Sequence, residues 1–313
     1  MKRPPRFALA TLPTLLVPAR HRPGLLLKRD DLTGFAAAGH KARQLEFLIG
    51  AALARRCDVL VTGGGQGSNF CAAAAAAAVV AGLDCELVYA GTPPERPHPN
   101  LAAAQASGAR LRFTGDPDRE AVEGAIVAVV SEMEAAGRRP YPMPRGGATA
   151  MGIVGMVLAV EELATQVEAI EVTPQAVVVA TGSGGACAGV LLGLALCRRR
   201  WRVVGASVSR PPEEVGAQVG RLVRDCASLL EVTPAGSNEW SLADVRGPGF
   251  GVPSEDGERA AHTALVEEGL LLDPVYTAKA FSVALKEAEN GPVVFWHTGG
   301  LLDAAHHLTE PEP

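Results

Sequence analysis

The sequence predicts an α/β protein organised around mainly parallel sheets, and two observations carry the prediction. Short β-branched runs alternate with alanine- and leucine-rich segments of helical pattern along the chain, the order that layers helices over a parallel sheet. Glycine-rich turns fall where strand candidates end and the chain turns toward a helix, which is where open α/β sheets place ligands. The β-branched runs give strands over 58–62, 85–89, 110–113, 176–180, 202–207 and 292–296. The helical patterns give helices over 41–55, 68–81, 100–107, 119–136, 149–167, 185–197, 213–226, 255–268 and 277–289. The proline-rich stretches 91–99 and 138–147 read as loops after strands, the second as a crossing between domains. No repeat is seen, and 309–313 is expected to fray.

The 313 residues are 48% hydrophobic and 20% charged, enough for one large or two modest domains with a sizeable core. A net charge of -5 leaves no basic footprint for nucleic acid and no polybasic membrane anchor. The six cysteines, at 57, 71, 85, 187, 197 and 226, have neither Cys-x-x-Cys spacing nor a framework pattern. No metal site or disulfide scaffold is therefore indicated, and reduced cytoplasmic thiols are expected. Lys2, Arg3 and Arg6 are broken up by Pro4, Pro5 and Pro13 without a long apolar region, which does not make a signal peptide. The longest apolar runs, taken as 71–83 and 177–180, are too short or too glycine-flanked to span a bilayer.

Four clusters carry chemistry. Gly39-His-Lys-Ala-Arg-Gln-Leu-Glu-Phe47 puts Lys41 after a glycine turn at a helix start, where the dipole favours the free amine that a Schiff base needs. Position alone equally describes a solvated surface lysine. In Val61-Thr-Gly-Gly-Gly-Gln-Gly-Ser-Asn69, Ser68 and Asn69 present a hydroxyl and an amide at a helix start, suited to a carboxylate or simply to capping. Val179-Ala-Thr-Gly-Ser-Gly-Gly-Ala-Cys-Ala-Gly189 runs a strand through a glycine turn into a helix, which can cradle phosphate or merely close a tight connection. It has neither the dinucleotide spacing nor the P-loop lysine, which argues against a nicotinamide-dependent oxidoreductase. Val293-Val-Phe-Trp-His-Thr-Gly-Gly300 ends a strand in Thr298, while His297 beside Trp296 reads as packing or capping.

Together a lysine, a carboxylate-binding serine, a phosphate loop and a strand-end hydroxyl describe a pyridoxal 5'-phosphate site. Lys28-Arg-Asp-Asp-Leu-Thr-Gly34, the Lys41 segment through Leu48, Ser68-Asn69, Thr181-Gly-Ser-Gly-Gly185, Leu272-Asp-Pro-Val-Tyr-Thr-Ala-Lys279 and His297-Thr-Gly-Gly300 resemble the motifs of the D-cysteine desulfhydrase and 1-aminocyclopropane-1-carboxylate deaminase family. The likeness is collinear from about Pro13 to Gly300. It implies fold type II of the pyridoxal phosphate enzymes, tryptophan synthase β-like: two open twisted, mainly parallel α/β domains with the cofactor between them. Residues 1–46 and 156–313 would form the large cofactor-binding domain and 47–155 the small one. The resemblance implies that Lys41 forms the internal aldimine and then moves the α-proton, and that Ser68 and Asn69 serve the substrate carboxylate and the cofactor's phenolic oxygen. Gly182, Ser183, Gly184, Gly185 and Ala186 would hold the phosphate. Thr298, with Thr277, would face the pyridine nitrogen; a neutral partner there suits β-elimination. Tyr276 would be a second proton-handling group, although a core aromatic reads the same way. A small amino-acid substrate and a homodimer are also implied, with no metal.

Departures from the family pattern surround the substrate. Gly67 and Phe70 flank Ser68 and Asn69 where the family has glutamine and histidine, His40 replaces an asparagine, Phe250 replaces a tyrosine and Ala186 a hydroxyl residue. Phe70, Phe250, Ser68, Asn69 and Tyr276 are the expected substrate contacts, in a pocket made less polar and suited to a substrate larger or less polar than cysteine. Thr277 stands where the deaminases carry an acid, which disfavours cyclopropane ring opening. Desulfhydrase-like β-elimination, releasing ammonia and a 2-oxo acid, is the expected activity. Cysteine-synthase-like β-replacement is the enzymatic alternative, and a catalytically altered cofactor-binding or regulatory protein the other.

Overall fold

The structure is a computed structural model that describes residues 1–309 except 235 and 237. In chain order the strands are β1 (Leu16–Pro18), β2 (Leu25–Arg29), β3 (Val59–Gly64), β4 (Asp84–Tyr89), β5 (Arg110–Phe113), β6 (Pro140–Pro142), β7 (Ala176–Thr181), β8 (Arg202–Ser207), β9 (Trp240–Asp244) and β10 (Val293–His297). The helices are α1 (Lys41–Ala54), α2 (Asn69–Val80), α3 (Pro99–Ala106), α4 (Ala121–Ala135), α5 (Ala150–Ala169), α6 (Gly185–Leu196), α7 (Pro212–Leu229), α8 (Glu255–Thr263), α9 (Thr277–Glu287) and α10 (Leu301–Thr309).

Two sheets result. One has the order β1-β2-β10-β7-β8-β9 and the other β5-β4-β3-β6. All pairings are parallel except that of β1 with β2. The central strands β7 and β10 are buried along their whole length, as parallel strands covered on both faces must be. Five elements lie where sequence pattern is least informative: β1, β2, β6, β9 and α10. β2 is Leu-Leu-Leu-Lys-Arg and lacks β-branched residues; pairing Leu25 with Val293 and Leu27 with Phe295 makes it a strand. β6 falls inside the 138–147 stretch read as a loop, and its prolines are tolerated because it is an edge strand. β9 and α10 were also not anticipated, and β1 is a three-residue edge.

The helix expected over 255–268 stops at Thr263 and continues as a π-helical turn, Ala264–Glu268. The helix expected from 119 begins at Ala121. The reason is local: Asp116 Oδ1 accepts from the Asp118 amide at 2.8 Å and Asp118 Oδ1 from the Glu120 amide at 2.9 Å, side-chain turns that compete with helix. The longest apolar segment is α5 rather than 71–83. It is apolar and long enough to cross a membrane, yet most of it is buried inside the protein. Gly189 and Gly193 let α6 approach it closely, since a Cβ would sit 2.4 Å from Met156 Cβ and 2.6 Å from Val160 Cβ. Of the tail expected to fray over 309–313, Thr309 closes α10, and residues 310–313 lie outside the described residues.

Candidate active site

Gly39 fixes the entrance to α1. Its φ is +56°, and a Cβ there would lie 2.2 Å from the Thr298 carbonyl oxygen and 2.7 Å from Gly299 Cα. Two backbones therefore cross at van der Waals distance, at a position only glycine fills. The His40 amide donates to that carbonyl at 2.9 Å and His40 Nδ1 lies 2.8 Å from it, so the proton sits on Nδ1. Burial, helped by the charge of Lys41, lowers His40 to about 3 and keeps it neutral. Lys41 follows as the first residue of α1. Among the described residues its ammonium has no hydrogen bond or ion pair; it stands 5.7 Å from the centroid of the Phe70 ring. Burial lowers its pKa to about 8.

Phe70 is buried in the core beside α1. Gly147, at φ +66°, makes room for it, because a Cβ would be 2.4 Å from Phe70 Cζ. Ser68 caps α2, its Oγ accepting from the Cys71 amide at 3.2 Å. The Asn69 amide donates to Asp303 Oδ2 at 3.1 Å and its oxygen accepts from Asn100 Nδ2 at 3.1 Å. Asp303 Oδ1 lies 2.9 Å from His98 Nε2. Hydrogen bonds from two other elements thus orient the Asn69 side chain.

β7 ends at Thr181, and the chain turns through Gly184, at φ +86°, into α6 without a side-chain cap. Such a turn leaves helix amides free to meet an anion. Beneath it both polar atoms of the Gln44 side chain are buried without a partner, and a Cβ on Gly185 would be 3.2 Å from Gln44 Nε2. Ser183 Oγ faces Gly146, where a Cβ would lie 3.1 Å away. Amide donors, a hydroxyl and a carboxamide without a partner among the described residues form a donor set suited to a phosphate, and the half-buried amine of Lys41 lines the adjoining cavity. The residues present fit pyridoxal 5'-phosphate.

Asp273 builds the remaining wall. Its carboxylate accepts from the amides of Val275 (3.1 Å), Tyr276 (2.6 Å) and Thr277 (3.0 Å) and from the Thr277 hydroxyl. Burial pushes it up to about 6 although the Thr277 bond opposes the shift. Tyr276 is thereby held with its ring against the phosphate turn, where a Cβ on Gly182 would be 3.2 Å from Cε1. Burial raises the pKa of its hydroxyl. The Tyr276 ring meets Phe250 at 5.9 Å between centroids, edge to face.

Every site residue expected from sequence lines one cavity of about 830 Å³ at the strand ends, with the exception of Thr277. Thr277 opens α9 fully buried, with its hydroxyl bound to Asp273, so Thr298 is the hydroxyl that reaches the cavity. His297 is buried with Nε2 3.2 Å from the Leu271 carbonyl and does not line it. The wall is also more charged than expected. His98, Asp118, Arg119, Glu120, Glu123 and Arg145 line it, which offsets the polarity lost at Gly67, Phe70 and Phe250. Apart from Glu123, in the first turn of α4, these come from segments between the regular elements, and no spacing rule singles them out. Asp273 was within reach, since an acid before proline at a helix start is a capping signal.

The chain matches the family model described as "Pyridoxal-phosphate dependent enzyme" over residues 8–299. It is 36% identical over 289 residues to a Pyrococcus abyssi protein that carries the provisional name 1-aminocyclopropane-1-carboxylate deaminase, covering 91% of this chain and 86% of that one. It is 37% identical over 292 residues to the D-cysteine desulfhydrase of Yersinia enterocolitica, covering 88% and 86%. The crystal structure of an ACC deaminase homologue superposes with a TM-score of 0.87 at 32% identity, covering 97% of this chain and 94% of that one.

Proposed function

The chain belongs to the pyridoxal-phosphate-dependent enzyme family and has the type II fold of that family, and from that premise we propose that it is a lyase that eliminates the β-substituent of a small amino acid, releasing ammonia and a 2-oxo acid. The observation that carries the reading is Lys41: a half-buried amine without a counter-ion among the described residues, its pKa lowered to about 8, on the wall of the cavity that the Gly182–Ala186 turn also lines. When bound, the cofactor supplies an electron sink for the substrate's α-carbon. The protein's residues do the rest. The turn and the Gln44 amide would hold the phosphate, Thr298 would give the ring nitrogen a neutral partner, and Asn69, fixed by Asp303 and Asn100, would serve the cofactor's phenolic oxygen. Ser68 and Asn69 bind the substrate carboxylate. The Lys41 amine takes the α-proton, the β-substituent leaves with its bonding electrons, and the Tyr276 hydroxyl is placed to orient or protonate it.

The reading carries with it the division into 1–46 with 156–313 and 47–155, supported by the two sheets, the second of which draws all its strands from residues 59–142. It also carries the homodimer implied by the resemblance and the cytoplasmic location expected from the cysteine pattern, which sedimentation and fractionation check.

The test is the visible spectrum of the purified protein with pyridoxal phosphate, for wild type and Lys41→Ala, before and after borohydride. A lysine-bound cofactor band in wild type only, bleached by reduction with the label found on Lys41, is expected. Free cofactor in both overturns the reading. Product analysis on D- and L-amino acids with β-leaving groups then separates elimination, which gives ammonia and a 2-oxo acid, from replacement, which gives a new amino acid.

A further inference from the structure

Arg119 is a charged residue of the cavity that has no ion-pair partner among the described residues. Its guanidinium carbon stacks 3.9 Å from the centroid of the Phe250 ring, and its Nε is buried with no hydrogen-bond partner. Among the described residues it makes no ion pair. Glu120 and Glu123 grip Arg145 at 2.7 and 3.0 Å, so Glu120 acts on Arg119 only through space, and Asp118 Oδ1 accepts from the Glu120 amide and forms no ion pair with Arg119. Arg145 is thus compensated and Arg119 is not, although both line the cavity. Arg210, also on the wall, reaches only the Gly182 carbonyl, at 3.5 Å, and adds positive potential.

The position of this charge is defined by the rings. Tyr276 lies against the phosphate turn, Phe250 packs on Tyr276, and Arg119 stacks on Phe250. Arg119 is thus linked to the phosphate turn through Phe250 and Tyr276, and it lines the same cavity as Ser68 and Asn69. A guanidinium without an ion-pair partner, its carbon held over an aromatic ring, is suited to a carboxylate, sulfonate or phosphate.

We infer that Arg119 is a specificity residue for a second anionic group, and that the substrates of this enzyme are amino acids whose β-substituent ends in a negative charge. The inference rests on the lyase reading above. Phe250, in place of the family's tyrosine, contributes the flat apolar face on which the guanidinium is laid.

The experiment measures the affinity of the cofactor-loaded enzyme for both enantiomers of cysteate and O-phosphoserine against alanine and serine, by calorimetry, in wild type, Arg119→Gln and Arg119→Lys. The expected result is a preference of about tenfold to a hundredfold for the acidic ligands. It should be abolished in Arg119→Gln and partly kept in Arg119→Lys, with the affinities for alanine and serine unchanged. Equal affinity for acidic and neutral ligands in wild type overturns the inference. So does a parallel loss for both classes in Arg119→Gln, which would place Arg119 on the α-carboxylate. Cofactor loading is read first by absorbance: failure of the wild type to load overturns the lyase reading, whereas a loaded enzyme without preference overturns only the role of Arg119.

Discussion

Arg43 and Asp30 form a two-pronged ion pair sealed from solvent, Nε donating to Oδ2 at 2.9 Å and Nη2 to Oδ1 at 2.8 Å. Trp296 Nε1 donates to the same Oδ2 at 2.8 Å, and Arg43 also reaches Glu162, which pairs with Lys28. Lys28, Asp30, Arg43 and Trp296 thereby tie β2, α1 and β10 into one unit behind Lys41. Removing one partner of a buried pair leaves the other uncompensated, and Arg43→Leu is expected to cost about 3–5 kcal/mol in urea unfolding. Burial by itself would raise Asp30, but Arg43 and Trp296 bring it below its ordinary value. Its contribution is accordingly complete above the unfolded carboxylate value and disappears as pH falls through the lower folded one. Arg43→Leu should therefore lose stability least, relative to wild type, in strong acid.

Lys41 shifts the other way. Between its folded value of about 8 and its ordinary value of 10.5, the unfolded chain binds more protons than the folded one, so apoprotein stability gains from this group as pH rises through that window. Lys41→Met should flatten the gain, seen as a smaller difference between urea midpoints at pH 7.5 and pH 10. The same variant, loaded with cofactor, should lose turnover by about a thousandfold or more.

Gly39→Ala would force a Cβ to 2.2 Å from a backbone oxygen at a left-handed φ. The expected result is loss of at least about 2 kcal/mol of stability and of cofactor binding together. Gly137→Ala has an equally positive φ but nothing within 4 Å of the new Cβ, so it should lose stability alone.

Tyr276→Phe keeps the ring between the phosphate turn and Phe250 but removes the hydroxyl. Cofactor affinity should hold within about twofold while kcat falls by about a hundredfold. A fall in cofactor affinity with unchanged kcat would show the ring to be a wall and nothing more.

Most of the site was legible in the sequence because its parts sit on local signals. Lys41, Ser68 and the Gly182–Gly185 turn all mark the passage from a turn into a helix, where glycine, caps and dipoles leave a compositional trace. Thr277 was misplaced because its neighbour Asp273 competes for its hydroxyl, a contact set by how the chain folds back at the start of α9. Arg119 was invisible for a related reason: its role depends on Glu120 and Glu123 being held by Arg145, and such competition among side chains has no spacing. β2 escaped notice because its identity lies in its partner β10, more than two hundred residues away.

That pairing sets an order in time. The Lys41 segment is synthesised more than two hundred residues before Thr298, the carbonyl against which Gly39 and His40 are seated. Until β10 has emerged, β2 lacks its parallel neighbour and the turn before Lys41 has no backbone to rest on. A chain cut before β10 therefore carries the Lys41 amine without the surface that seats it.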